Sequence, residues 1–414
     1  MVKSALRTGH VPTLVGAWLH LTVSFMVWLL FGALAVPIGD ALRLTAGQQG
    51  LLIALPLLSG ALLRIVAGWS CDWYGTKVTG LAVLGLQALA VIWATTGSGS
   101  YSELLAIGSL LGAGGASFAV ALPVASKAYP PAHQGLVLGL VASGNIGTVL
   151  VFWLTPRWAG TLGWQGACGL MLIPLCLTFI LFALAVREER PREAAVGGVW
   201  WQAAWDLIRQ PSVYWLCLVY GITFGGFVGL TSFLPVLLHD QYGSEAVFGG
   251  TVAALCGLIG SVIRPFGGRW ADRYGGLRLL AGVFLGLALL NTLTGFLPPL
   301  GWAVGLLVGT VALLGFGNGV VFQIVSEWFP RDIGLASGLV GAAGGIGGFI
   351  LPLWFGLLRG SAGTYAIGFA GLALVSVAAA LTVCSALRCQ ARMLGQEADA
   401  EVFPIDRRGA KRVS

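Results

Sequence analysis

Stretches of roughly 20 apolar residues recur about twelve times along this chain, each long enough to cross a hydrocarbon core of about 30 Å. They fall at approximately 12–37, 47–70, 78–97, 102–126, 134–156, 164–186, 212–237, 246–270, 278–298, 302–326, 334–358 and 362–387. A soluble fold of 414 residues could not hide so much apolar surface. Hydrophobic residues make up 57% of the chain and charged ones 9%, against roughly a quarter charged in a soluble domain, so lipid must be the solvent. The 63 glycines and 17 prolines suit helices that approach closely in a bilayer and re-satisfy backbone groups freed at proline. Trp69, Trp73, Trp164, Trp201 and Trp302 fall near expected helix ends, where interfacial anchors belong. The first span is too long for a cleavable signal and lacks a small-residue cleavage site.

Lysine and arginine placement sets an expected orientation. With both termini cytoplasmic, 18 of the 23 basic residues fall on that side; Arg43, Arg157 and Arg359 fall outside and two lie within spans. The net charge of +7 is then mostly a topology signal, and the basic tail Arg407, Arg408, Lys411 and Arg412 reads as solvated rather than as a nucleic-acid contact. Seven cysteines without CxxC spacing and four scattered histidines give no ground for a metal or redox cofactor. No intramembrane Ser/His arrangement, paired carboxylate or metal cluster supports an enzyme.

The chain repeats itself after 200 residues. Arg64, Gly68, Asp72 and Gly75 match Arg264, Gly268, Asp272 and Gly275 in an R-x3-G-x3-D-x2-G pattern at the ends of spans two and eight. The glycine-rich region Gly112–Gly147 recurs as Gly315–Gly347, and Pro130 answers Pro330. The expected organisation is a cytoplasmic segment at 1–11, six spans over 12–186, a linker at 187–210, six spans over 211–388 and a cytoplasmic tail at 389–414. The sequence thus predicts an all-α membrane protein, with twelve transmembrane helices in two pseudo-symmetric six-helix bundles. That layout resembles the major facilitator superfamily, whose substrate site lies between the halves near the midplane. The loop motif around Gly68, Asp72 and Gly75, and its repeat at Gly268, Asp272 and Gly275, is similar to that superfamily's cytoplasmic loop motif. A tight turn accounts for the glycines; the twice-placed aspartate suggests a latch between cytoplasmic helix ends.

Two ionisable residues break the apolar pattern. Arg64 precedes Asp72 by eight residues, about 12 Å up a helix and so near the bilayer centre; Arg264 has the same depth in the other half. Centring an arginine costs at least about 2.5 kcal/mol. All 16 carboxylates map to loops, helix ends or tails, Glu327 being the nearest. Two central arginines without acidic partners make an anion site. The fork of donors on arginine matches paired oxygens and stays protonated when desolvated. A small planar oxyanion suits two such forks, and a dicarboxylate is also compatible.

Span five reads Gly135-x3-Gly139-x3-Ser143-x3-Gly147 with Asn145 beside its last turn, and span eleven carries Gly334, Gly338, Gly341, Gly344, Gly345, Gly347 and Gly348. Small residues at this spacing pack helices closely and leave room for a small ligand only. With Arg64, Arg264, Ala142–Gly147, Gly341–Gly348 and the span-ten run Gly315–Gln323, the chain resembles the nitrate/nitrite porter family of the major facilitator superfamily. The resemblance implies that Arg64, Arg264 and Asn145 bind the anion, that Tyr220 bonds it, and that Phe224 and Phe118 wall the site. Gly68, Asp72, Gly75, Gly268, Asp272, Gly275, Gly344 and Gly345 are expected to serve gating. It implies a carrier of nitrate or nitrite in a cell membrane, working by alternating access as a monomer, by exchange or with protons. A carrier of formate, oxalate or a related carboxylate stays open at this point, as does a membrane sensor.

Overall fold

The computed structural model describes residues 9–97, 99–130, 133–187, 205–329 and 333–402. The N-terminal eight residues, most of the expected linker, Pro330 and the basic cluster at 407–412 lie outside the described residues. Within them the chain is helical and contains no strand.

The first span, α1, runs Val11–Trp28 and continues through two short runs to Leu42. Then follow α2 (Ala46–Trp73), opened by a Thr45/Gln48 capping box, and α3 (Thr76–Thr96). The fourth span, α4, comprises Tyr101–Leu111, Ala113–Ala116 and Phe118–Lys127. A 50-residue apolar stretch, Leu136–Ala185, holds two crossings. It breaks at Gly163, whose φ of 70° and ψ of 170° are not helical. There α5, which began at Gln134 and passed through a 3₁₀ turn at Ser143–Asn145, gives way to α6, ending at Ala185. The second half comprises α7 (Pro211–Tyr242), α8 (Ala246–Tyr274), α9 (Gly276–Gly295), α10 (Leu300–Trp328), α11 (Ile333–Ala362) and α12 (Ala366–Val402). The last helix overruns its expected end at 387 and takes up the first part of the expected tail. Residues 385–402 are rich in Ala, Arg, Leu, Met, Gln and Glu, strong helix formers that need no apolar environment to continue a helix.

The duplication is carried at helix crossings. A Cβ on Gly60 would lie 3.2 Å from the Cα of Gly115, and one on Gly315 would lie 2.6 Å from the Cα of Gly260. The same 200-offset glycine pair thus lets α2 cross α4 and α8 cross α10 at backbone contact. In the loop motif, Gly75 and Gly275 stand just before α3 and α9 with φ of 89° and 88°, a conformation that disfavours any side chain. His20 on α1 is fully buried, with Nε2 bonded to the Gly80 carbonyl on α3 and its ring against Phe182.

The two halves meet along α2 with α11 and α5 with α8. A Cβ on Gly50 would lie 3.0 Å from the Gly356 Cα and one on Gly250 would lie 2.7 Å from the Pro156 ring, again equivalent positions. Gly32 abuts Ser232, Arg157 Nη2 donates to Thr251 Oγ1 at 3.0 Å, and His239 lies 3.8 Å from Asp40. All these contacts sit at the helix ends that carry Arg43, Arg157 and Arg359. Toward the opposite ends, a Cβ on Gly68, Gly139 or Gly338 would meet no described atom within 4 Å. The two halves are therefore closed against each other toward the ends that carry Arg43, Arg157 and Arg359.

Candidate anion site between the two halves

Arg64 lies where the closed interface stops. Its Nε and Nη2 both donate to the Gly115 carbonyl on α4, at 3.2 and 3.0 Å, and Nη1 donates to the Gly341 carbonyl on α11 at 2.8 Å. One guanidinium thus bridges the halves through two backbone acceptors. A Cβ on Gly341 would stand 3.1 Å from Nη1, so glycine there gives the guanidinium its closest approach to α11. The Phe118 ring lies under the guanidinium at 5.5 Å.

Arg264 is held differently. Nη2 donates to the Tyr220 hydroxyl at 3.1 Å, and the charge sits over Phe224 at 5.9 Å and Phe322 at 5.2 Å. Tyr220 stacks on Phe224 at 5.1 Å and 7°, while Phe322 meets Tyr220 edge-on at 5.0 Å. Tyr220 and Phe224 are buried, at 2% and 3% exposure, so the aromatic wall is fixed by packing. Gly344 faces this wall: its Cβ would fall 2.8 Å from both rings. Gly345 points the other way, across the interface, at Ala61 and the Leu57 carbonyl.

Both arginines keep some accessible surface and lie within Coulomb range of each other, with Tyr220 in the same field. Among the described residues neither makes an ion pair; the ion pair found there joins His239 and Asp40. Of five N–H donors on a guanidinium, Arg264 uses one and Arg64 three. The site thus presents two positive charges, unspent planar donors and aromatic walls. Chemically, that is a receptor for a small anion with in-plane acceptor oxygens.

The structure therefore brings Arg64, Arg264, Tyr220, Phe224 and Phe118 to one place. Asn145 sits apart from this cluster in contact terms. It is buried at 7% exposure in the 3₁₀ turn beside α1, with Oδ1 unpartnered and no hydrogen bond to either arginine among the described residues. The turn is pressed onto α1 because Gly144 meets Leu21 and Gly147 meets the Thr22 carbonyl. Phe25, on that same stretch of α1, reaches Phe118 at 6.1 Å and links the turn to the wall of Arg64. Phe322 is the residue missed from sequence. It lies inside the noted Gly315–Gln323 run, but its repeat partner is Leu122, so the duplication does not flag it; the signal is its place one turn beyond Asn318.

Residues 17–325 match the Major Facilitator Superfamily. The "Nitrite extrusion protein" of Bacillus subtilis (strain 168) is 34% identical over 369 residues, which cover 88% of this chain and 91% of that protein. The chain belongs to the nitrate/nitrite porter family of the major facilitator superfamily. A second relative of this porter is the "Probable nitrate/nitrite transporter NarK2" of Mycobacterium tuberculosis (strain CDC 1551 / Oshkosh). It is 32% identical over 393 residues, covering 93% and 97% of the two chains. Among solved structures, a bacterial homolog to the human lysosomal transporter Spinster, in an inward-facing and occupied conformation, superposes with a TM-score of 0.74. It covers 91% of this chain and 96% of its own at 18% identity, a likeness that speaks for the fold alone. The porter is thus a multi-pass helical membrane protein whose family members are transporters.

Proposed function

We propose that this protein carries nitrate and nitrite across the cytoplasmic membrane by alternating access, with nitrate/nitrite exchange as its main mode. One observation carries the reading: Arg64 and Arg264, one from each half, converge at the interface with no carboxylate partner among the described residues. Relatives spanning most of the chain are named for nitrate and nitrite, one of them, from Thermus thermophilus, as the "Probable nitrate/nitrite antiporter NarK1" at 30% identity. The bound anion supplies the counter-charge that the protein lacks. An empty site leaves two like charges to repel, so the loaded carrier closes more readily than the empty one, and exchange outruns net flux. Asn145, buried in the turn beside α1, donates its side-chain Nδ2–H to the anion as the halves close over it.

The halves 12–186 and 211–388 rock as units on the linker 187–210. With both termini cytoplasmic, as the basic loops argue, the closed end is external and the porter faces inward in this arrangement. The latch at Asp72 and Asp272 is then released, in keeping with the absence of an ion pair at either aspartate among the described residues. Gly68, Gly75, Gly268 and Gly275 let the latching loops approach when the cycle reverses, while Gly344 and Gly345 keep α11 thin where it slides between α2 and α7. The protein works as a monomer in lipid, binds no nucleic acid and is not an enzyme.

Counterflow in proteoliposomes tests this. Vesicles loaded with nitrate should accumulate labelled nitrite well above empty-vesicle controls, with formate and oxalate competing weakly. No uptake above empty vesicles would overturn the reading, and full competition by formate or oxalate would transfer the site to carboxylates.

A further inference from the structure

A second cavity, of about 190 Å³, lies within the N-terminal half where the ends of α1, α3, α4 and α6 converge, away from the arginine pair; its wall includes His10, Thr76, Val124, Lys127, Val186 and Arg187. Two helix N-termini open there, and they differ. That of α1 is spent on the protein itself: the His10 side chain accepts from the Thr13 amide and proline occupies the first turn. That of α3 has no side-chain cap, so its first N–H groups have no intrahelical acceptor. Thr76, the first residue of α3, is 8% exposed and lines the cavity, and its hydroxyl has no hydrogen-bond partner among the described residues. The side chain is thus more than nine-tenths buried yet uses no protein partner, which leaves its hydroxyl for whatever the cavity holds.

Charge points to what fills it. Lys127 and Arg187 stand at the exposed rim. The carboxylate acting on Lys127 is Asp72, near enough to feel its charge without an ion pair. Two cations and an uncapped helix N-terminus outweigh that one carboxylate. Val124 and Val186, both buried, complete the wall, and an anion at the helix N-terminus gains from its unspent N–H groups.

We propose that this cavity is a phosphate-binding site, distinct from the transport site. The α3 amides and the Thr76 hydroxyl take the phosphate oxygens, and Lys127 and Arg187 neutralise the charge. Four helix ends at the membrane surface bound the site, so a phospholipid headgroup and free inorganic phosphate present the same chemistry to it. The assignment does not rest on the transport reading.

The test uses the full-length protein, purified in detergent and stripped of lipid, with thermal unfolding followed by tryptophan fluorescence. It is titrated with inorganic phosphate or with dihexanoyl-phosphatidylglycerol at constant ionic strength, chloride serving as control. Saturable stabilisation by at least one probe is expected. The K127Q/R187Q variant should weaken that apparent Kd about tenfold or more, T76V should weaken it less, and K127R/R187K should retain it. R264Q should leave it unchanged, which separates this cavity from the central arginines. Stabilisation by phosphate alone identifies a free anion, by the lipid alone a headgroup, and by both the shared phosphate. No saturable effect of either probe, or an effect untouched by K127Q/R187Q, would overturn the proposal.

Discussion

Replacing Gly344 by alanine adds one methyl group at the point where α11 passes the aromatic wall. That Cβ would stand 2.8 Å from the Phe224 and Tyr220 rings, about 0.7 Å short of ordinary carbon–carbon contact. The helix cannot retreat from α7, because on its other side Gly345 already packs on Ala61 and the Leu57 carbonyl of α2. The rings must yield instead, and Tyr220 carries the hydroxyl that holds Arg264 at 3.1 Å. A shift of that size takes the bond beyond hydrogen-bond reach. A hydrogen bond to a charged group contributes about 1.5–3 kcal/mol, so the apparent KM for nitrite counterflow should rise about ten- to hundredfold. Overpacking adds about 1–3 kcal/mol of destabilisation, which a melting curve measures separately from transport. Gly282 on α9 is the control, since a Cβ there meets nothing within 4 Å; G282A should transport normally. A wild-type KM in G344A, or equal damage in G282A, would refute the coupling of Gly344 to Arg264 through Tyr220.

Phe322→Leu removes the ring 5.2 Å from the Arg264 charge while keeping an apolar side chain. A cation–π contact contributes about 0.5–2 kcal/mol, so the nitrite KM should rise about two- to thirtyfold in the same counterflow assay. Asn145→Ala removes an Oδ1 that has no partner in this state. Thermal stability should therefore hold or improve while nitrate affinity falls several-fold, and a drop in melting temperature with unchanged affinity would mark Asn145 as a packing residue.

The fold was legible because lipid imposes a length rule that apolar runs obey one by one, and because a 200-residue offset survives in spaced residues such as Arg64 and Arg264. The α5–α6 boundary shows the limit of hydropathy: Leu136–Ala185 is one apolar stretch, and only the backbone of Gly163 divides it. The continuation of α12 past 387 reflects helix propensity outlasting hydrophobicity. At the site, charge in an apolar span exposed the arginines, but not their different settings. Arg64 is held by the carbonyls of Gly115 and Gly341, and a carbonyl is present at every residue, so side-chain identity carries no sign of it. Phe322 was hidden for the opposite reason, as one aromatic among 20 phenylalanines. Its edge-on packing against Tyr220 and its place beside the Arg264 charge separate it from residues that meet lipid.

The central claim is that Arg64 and Arg264 bind the anion as planar forks rather than serving only as buried structural charges. Equilibrium nitrate binding to purified R64K and R264K tests it most directly, since lysine keeps the charge and loses the fork. The account predicts at least about tenfold weaker binding in each variant, with both proteins folded and monodisperse. Nitrate binding within twofold of wild type in both variants would contradict it.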